Sequence, residues 1–265
     1  MLEIINVSKT FNKGTVNEKK ALDRLCLKIE EGDFITVIGG NGAGKSTMLN
    51  MIAGVYRIDS GVINIDNVNV SLLPEYKRSK YIGRVFQDPM KGTSAGMQIE
   101  ENLALAFRRG KRRGFSWGIK SEEREFYKSE LKKLGLGLET RLKSKVGLLS
   151  GGQRQAVTLL MATLVDPRLL LLDEHTAALD PKTAKRVLDI TKDIIEEKKL
   201  TALMVTHNMR DAINMGNRLI MMHEGRLIYD VKGEEKKKLT VEALLKKFEE
   251  ASNEEFANDR MMLTK

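Results

Sequence analysis

"ITVIGGNGAGKSTMLNMIAG", Ile35–Gly54, places an apolar run of strand length before a glycine-rich turn and then a segment with helical spacing. The block Gly39-x-x-x-x-Gly44-Lys45-Ser46 lets successive backbone N–H groups wrap a chain of phosphates without interference from Cβ atoms. The helix that follows adds the positive end of its dipole at the same place. Lys45 is expected to reach the β- and γ-phosphates of a nucleotide, and Ser46 to coordinate Mg²⁺. The candidate nucleotide loop comprises Gly39, Gly40, Asn41, Gly42, Ala43, Gly44, Lys45, Ser46 and Thr47.

Such a loop needs a carboxylate partner for the metal, and "RLLLLDEHTAALD", Arg168–Asp180, supplies one at the end of a fully apolar strand. Asp173 is expected to hold Mg²⁺ through water. Glu174 is the candidate general base that orients and deprotonates an attacking water. A third signal is "LLSGGQRQAVTLLMATL", Leu148–Leu164, in which Ser150, Gly151, Gly152 and Gln153 open a helical segment. A serine and two glycines at a helix start can cap the helix or bind an anion by the physics of the first loop. One nucleotide cannot use two such sites on separate helices of one small domain, so each serves a different nucleotide and two copies of the domain face one another.

Outward from these motifs, short apolar runs recur at Phe34–Ile38, Leu169–Leu172, Ala202–Val205 and Leu219–Met222. Helical patterns lie among them at Lys45–Ala53, Gln153–Leu164 and Thr183–Ile195. This is the pattern of an α/β fold with a mostly parallel sheet. The first part differs: Leu2–Val7, Ala21–Ile29 and Val62–Ile65 alternate as half-buried antiparallel strands do. Ile99–Leu134 reads as a helical insert interrupted by glycines. After Asp230 come a charged run and an amphipathic helix with Val241, Leu244, Leu245 and Phe248 on one face, then a polar, frayed end.

The 265 residues are 42% hydrophobic and 31% charged, enough for a sizeable core with a well-solvated surface. No stretch approaches the roughly 20 apolar residues of a membrane span. The N-terminus lacks a signal-peptide pattern. Cys26 is the only cysteine, which excludes a disulfide framework and a cysteine metal site. A cytoplasmic protein is expected, and the net charge of +9 points mildly to an anionic partner.

The glycine-rich loop, the LSGGQ about a hundred residues later, the strand ending in Asp-Glu, the following "ALD" and a lone histidine after another strand together resemble the ATP-binding-cassette ATPases. The resemblance covers roughly Leu2–Asp230. It implies a P-loop NTPase core, an N-terminal antiparallel β subdomain and an inserted α-helical subdomain at about 88–165. The cassette then spans 1–232, with a helical tail at 233–265. It also implies roles residue by residue. Gln87 in "RVFQDP" would link the metal and attacking water to the helical subdomain. His207 in "LMVTHN" would contact the γ-phosphate, Asp180 would lie at the dimer seam, and Phe11 would stack on adenine. The residues expected to carry hydrolysis are therefore Glu174, His207 and Gln87, with Ser46, Gln87 and Asp173 at the metal. Where the family commonly has proline and serine, this chain has His175 and Ala177. His175 is expected in a solvent-facing loop. Gly40 stands where many relatives carry a bulkier residue.

The resemblance implies two cassettes closing on two ATP and driving an integral membrane permease on another chain, from the cytoplasmic face of the membrane. Gln87–Gly114 resembles ATPases that work with lipoprotein-type extracytoplasmic binding proteins, a group often associated with amino-acid uptake; its basic insert is also similar to that of branched-chain amino-acid ATPases. The other reading is a soluble single-cassette ATPase of an assembly machinery, such as iron–sulfur scaffolds. "AFRRGKRRGFSWGIKSEER", Ala106–Arg124, carries seven Lys or Arg against two Glu. Direct nucleic-acid binding is not expected of it. Arg108, Arg109, Lys111, Arg112 and Arg113 are expected to grip the membrane partner and lipid headgroups.

Overall fold

The computed structural model describes residues 1–111 and 118–250. In chain order the elements are β1 (Leu2–Phe11), β2 (Lys19–Ile29), β3 (Phe34–Gly39), α1 (Lys45–Ala53), β4 (Ser60–Ile65), β5 (Val68–Asn69), α2 (Glu75–Arg78), β6 (Ile82–Val85) and α3 (Ile99–Phe107). They continue as α4 (Ser121–Lys133), α5 (Gly151–Thr163), β7 (Leu169–Asp173), α6 (Pro181–Lys198), β8 (Ala202–Val205), α7 (Met209–Asn214), β9 (Arg218–His223), β10 (Arg226–Lys232) and α8 (Gly233–Lys237). Residues 241–250 form a further helix. The chain divides into two compact units, Met1–Glu75 with Leu203 onward, and Tyr76–Ala202.

In the first unit β1 pairs antiparallel with both β2 and β4, with Leu2 opposite Ile29 and Ile65. The alternation seen in the sequence is the cause. Leu2, Ile4, Leu27, Ile29, Ile63 and Ile65 are buried while the intervening Glu3, Lys28 and Asn64 are not. The unit also holds strands in the order β10-β9-β3-β8. There β3 runs parallel to β9, Gly39 pairing with Met222, and β10 turns back antiparallel. Ile35, Val37, Leu203, Val205, Leu219 and Ile220 are wholly buried. Each such aliphatic side chain contributes about 1.5–3 kcal/mol by leaving water.

The sequence reading did not find β10, because Arg226–Lys232 buries only Val231 and carries three charged residues, Arg226, Asp230 and Lys232. The tail helix forms as expected, but its face is narrower. Leu244 is fully buried and Phe248 partly so, whereas Leu245 is 45% exposed.

In the second unit β6 and β7 are parallel, Ile82 opposite Leu169 and Val85 opposite Leu172. Leu169–Leu172 are all inaccessible, which explains a continuous apolar run in place of alternation. The helical insert resolves into α3 and α4. Helix α5 meets α6 at Gly152, where a Cβ would stand 2.2 Å from Thr183 Cγ2. An antiparallel N-terminal sheet and a mostly parallel sheet with covering helices are the architecture of a P-loop NTPase with the expected additions. Among the described residues, no helix is long and apolar enough to cross a membrane.

Candidate functional site

The first unit carries the glycine-rich loop. Strand β3 ends at Gly39 and α1 starts at Lys45, with Gly44 at its N-cap in the left-handed region, φ 97°. A Cβ on Gly44 would lie 2.6 Å from the Ala21 carbonyl oxygen, so conformation and packing both require glycine there. Lys45 is buried, and its ammonium donates to the carbonyls of Gly39 (2.8 Å) and Gly40 (3.0 Å). The cation is thus held over the loop by neutral acceptors. Phosphate oxygens would replace these with charged ones, making bonds about twice as strong. Ser46 is exposed in the first turn of α1, a turn without acidic residues, so its dipole is uncompensated by the helix's own side chains. Asn41 and Gly42 are exposed at the loop apex, Ala43 is buried beneath it, and Thr47 is half-buried.

Phe11 ends β1, half-buried, edge-on to Tyr56 at 5.3 Å between ring centroids and with the Lys9 ammonium 5.6 Å from its own. It belongs to a surface aromatic pair, of which Tyr56 was not foreseen. His207 is exposed just beyond β8. Its predecessor Thr206 donates its N–H to Val37 of β3, and its successor Asn208 caps α7 through Arg210 and Asp211 N–H.

The second unit holds the acids. Asp173 ends β7 with Oδ2 3.6 Å from the Arg84 guanidinium, which itself lies over the Phe86 ring at 4.6 Å. Arg84 escaped the sequence reading; its place on β6, paired with Leu171, is the only signal for it. Glu174 adopts φ 46°, and its carbonyl accepts from Ala177 N–H at 3.0 Å, closing a turn directly after the strand.

The expectation for His175 is overturned. Its side chain is buried, with Nε2 3.0 Å from Thr191 Oγ1 on α6. Burial pushes its pKa down to about 4, so the ring is neutral. A loop position in the sequence does not disclose that α6 packs over it.

Gln87 is exposed just past β6, and buried Gln155 of α5 donates to the carbonyl of the preceding Phe86 at 3.2 Å. Ser150 is the N-cap of α5 in a reciprocal capping box. Its hydroxyl accepts from Gln153 N–H at 3.3 Å, and Gln153 Oε1 accepts from Ser150 N–H at 3.2 Å. Gly151 is exposed on the first turn and Gly152 is buried against α6. Asp180 caps α6, and hydrogen bonds from Thr183 hold its carboxyl below the usual range. Ser150 and Asp180 thus have helix-capping work of their own.

The basic stretch is corrected at several positions. Arg108 donates to both carboxylate oxygens of Glu123 (3.0 and 2.9 Å), and Arg124 does the same to Glu100 (2.7 and 3.2 Å). Arg109 donates to the carbonyls of Ala162 (3.1 Å) and Val165 (3.0 Å) at the end of α5. Lys111 sits 3.9 Å over the Phe107 ring. Arg108, Arg109 and Arg124 thus have partners within their own unit, while Lys111 is exposed. Arg112, Arg113, Phe115 and Trp117 lie outside the described residues.

Residues 22–177 match the ABC transporter family. A tyrosine transport ATP-binding protein of Clostridioides difficile (strain R20291) is 45% identical over 95% of this chain and 100% of its own length. An energy-coupling factor transporter ATP-binding protein of Clostridium tetani is 33% identical over 86% of this chain and 78% of its own. Among solved structures, a dimeric ATP-binding cassette in a post-hydrolysis state, bound to ADP and Pi, superposes with a TM-score of 0.75. It is 32% identical, covering 88% of this chain and 98% of that one. The family match covers more than half of the chain, and this chain belongs to the ABC transporter family as an ATP-binding subunit that hydrolyses ATP.

Proposed function

We propose that this chain is the ATPase subunit of an uptake transporter for an amino acid, with tyrosine or a similar aromatic solute the first to test. The observation that carries this reading is the 45% identity to a tyrosine transport ATP-binding protein over that protein's whole length. In this reading the cassette comprises 1–232, with a helical insert at about 88–165 and a tail at 233–265. Two cassettes close on two ATP, each held by residues 39–47 of one copy and Ser150–Gln153 of the other. They drive an integral membrane permease from the cytoplasmic face of the membrane, and an extracytoplasmic binding protein delivers the solute.

Lys45 neutralises the β- and γ-phosphates, Phe11 packs on adenine, and His207 donates to the γ-phosphate. Glu174 takes the proton of the attacking water, which Gln87 helps to orient; such a base contributes about 10²–10⁴-fold to rate. Asp180 lies at the seam between copies. The metal is Mg²⁺, which supplies charge neutralisation at the phosphates. Ser46, Gln87 and Asp173 offer a hydroxyl, an amide and a carboxylate, the hard oxygen donors this cation takes.

The test is affinity purification of the tagged chain from detergent-solubilised membranes, followed by labelled-tyrosine uptake in cells lacking the gene. Co-purification of a multi-span permease and loss of uptake are expected. Recovery from cytosol with assembly-scaffold proteins would replace this reading with the soluble one.

A further inference from the structure

Gly40 is a glycine whose backbone does not ask for one. Its φ lies outside the left-handed region, so any L residue fits its conformation. Among the described residues, its chain neighbours aside, the atoms that a Cβ there would meet within 4 Å belong to Phe248, Cζ at 3.3 Å and Cε2 at 3.8 Å. Even a methyl there would require the ring to give by a few tenths of an ångström. The residue at the start of the glycine-rich loop and the aromatic in the tail, more than two hundred positions later, are therefore close neighbours.

The contact has an anchor. One turn before Phe248, Leu244 is fully buried in a cluster with Ile38, Ala212, Leu219, Met221 and Val231. Ile38 is the last β3 residue before the loop. The helix at 241–250 starts with Thr240, whose hydroxyl accepts from Ala243 N–H at 3.2 Å, so its first turn is capped. Phe248 also meets His223 edge-on at 5.5 Å between centroids. With Lys19, Lys20, Arg226 and the acids Glu18, Asp23 and Glu224 it lines a pocket of about 760 Å³ that also takes in the loop apex, Gly40–Ala43. The Gly40 carbonyl is one of the two that hold the Lys45 ammonium.

We propose that Phe248 is a positioning residue of the nucleotide site: by packing on Gly40 it holds the apex of the phosphate loop in its binding shape. Docking of the 241–250 helix and nucleotide binding therefore strengthen one another. The proposal rests on residues 39–47 being the loop that binds ATP. Linkage makes the effect reciprocal. Whatever the docked tail adds to ATP affinity, bound ATP adds to tail docking. The gain comes from pre-organisation, since a loop already held in shape loses less freedom when ligand arrives.

The test uses the full chain with Mg²⁺-ATP and compares wild type, Phe248→Ala, Phe248→Leu, Gly40→Ala and the Gly40→Ala/Phe248→Ala double variant. Phe248→Ala is expected to weaken ATP binding by titration calorimetry about three- to tenfold. KM should rise with it, while kcat at saturating ATP changes less than about twofold, as for lost uniform binding. Phe248→Leu should recover most of the affinity. Amide hydrogen exchange in 241–250 should slow when ATP binds to wild type and should not respond to ATP in Phe248→Ala. Without nucleotide, Gly40→Ala should speed that exchange, and the double variant should bind ATP no worse than Phe248→Ala alone, because neighbours in contact are not additive. Wild-type ATP affinity in Phe248→Ala, or tail exchange indifferent to ATP, would overturn the proposal. Lys45→Ala separates the premise: normal ATP binding in that variant would remove the phosphate-loop reading and the linkage with it. The effect of Gly40→Ala on exchange, read without nucleotide, reports the tail contact independently.

Discussion

Glu174 and His175 are adjacent residues with opposite fates. Glu174 takes φ 46°, a backbone state that costs an ordinary residue about 1–2 kcal/mol. The next side chain is buried and tied to α6. Thr191 Oγ1 also lies 2.7 Å from the Val187 carbonyl, so its proton goes there and His175 Nε2–H must be the donor to Thr191. That fixes the neutral tautomer and sets a pH dependence. The folded pKa of about 4 lies below the ordinary imidazole value of 6.5, so below pH 6.5 the unfolded chain binds the extra proton. Stability is then lost as pH falls from about 6.5 to about 4, at up to ~1.4 kcal/mol per pH unit. Urea midpoints at pH 5 and pH 7 should differ less in His175→Gln than in wild type by an amount of this order. An unchanged difference would mean that His175 titrates in solvent. Thr191, the partner that decides this, is sixteen residues along the chain, and motif reading offers no access to it.

At the scale of elements, most of the architecture was readable from spacing. The strand and helix runs around residues 34–54 and 151–205 appear where apolar periodicity puts them. What spacing did not reveal is where charged side chains turn. Arg109 is the clearest case: it sits in a basic run, yet it satisfies two carbonyls at the end of α5, and desolvation lowers its pKa. Helix ends leave such carbonyls without partners, so Arg109→Ala should destabilise the protein by about 1–3 kcal/mol. A fall in thermal midpoint without loss of ATP affinity is the expected reading. Lys111→Gln, which removes only a cation–π contact to Phe107, should change stability by less than about 1 kcal/mol. Equal effects from the two variants would contradict the division drawn between a structural arginine and a surface lysine. The tail helix teaches the same lesson. Its amphipathic face was plain from Val241, Leu244, Leu245 and Phe248, but the surface that covers Leu244 and leaves Leu245 exposed comes from β3, α7, β9 and β10.

At the scale of the whole molecule, one small chain carries two helix starts that are each a candidate anion site. The loop at 39–47 belongs to one compact unit and the capped start of α5 to the other. Since Ser150 already caps its own helix through Gln153, a bulky change there tests more than a hydrogen bond. Ser150→Arg should leave ATP binding to a single copy intact and abolish hydrolysis, read by calorimetry and phosphate release. Loss of binding in the isolated monomer would place both anion sites on one nucleotide.

The most direct measurement is made on Glu174→Gln with Mg²⁺-ATP, its mass followed by light scattering after size exclusion and its turnover by phosphate release. The two-copy ATPase described here predicts a stable dimer with ATP, a monomer without it, and turnover reduced at least about 100-fold. A variant that hydrolyses ATP at the wild-type rate, or stays monomeric with ATP bound, would contradict it.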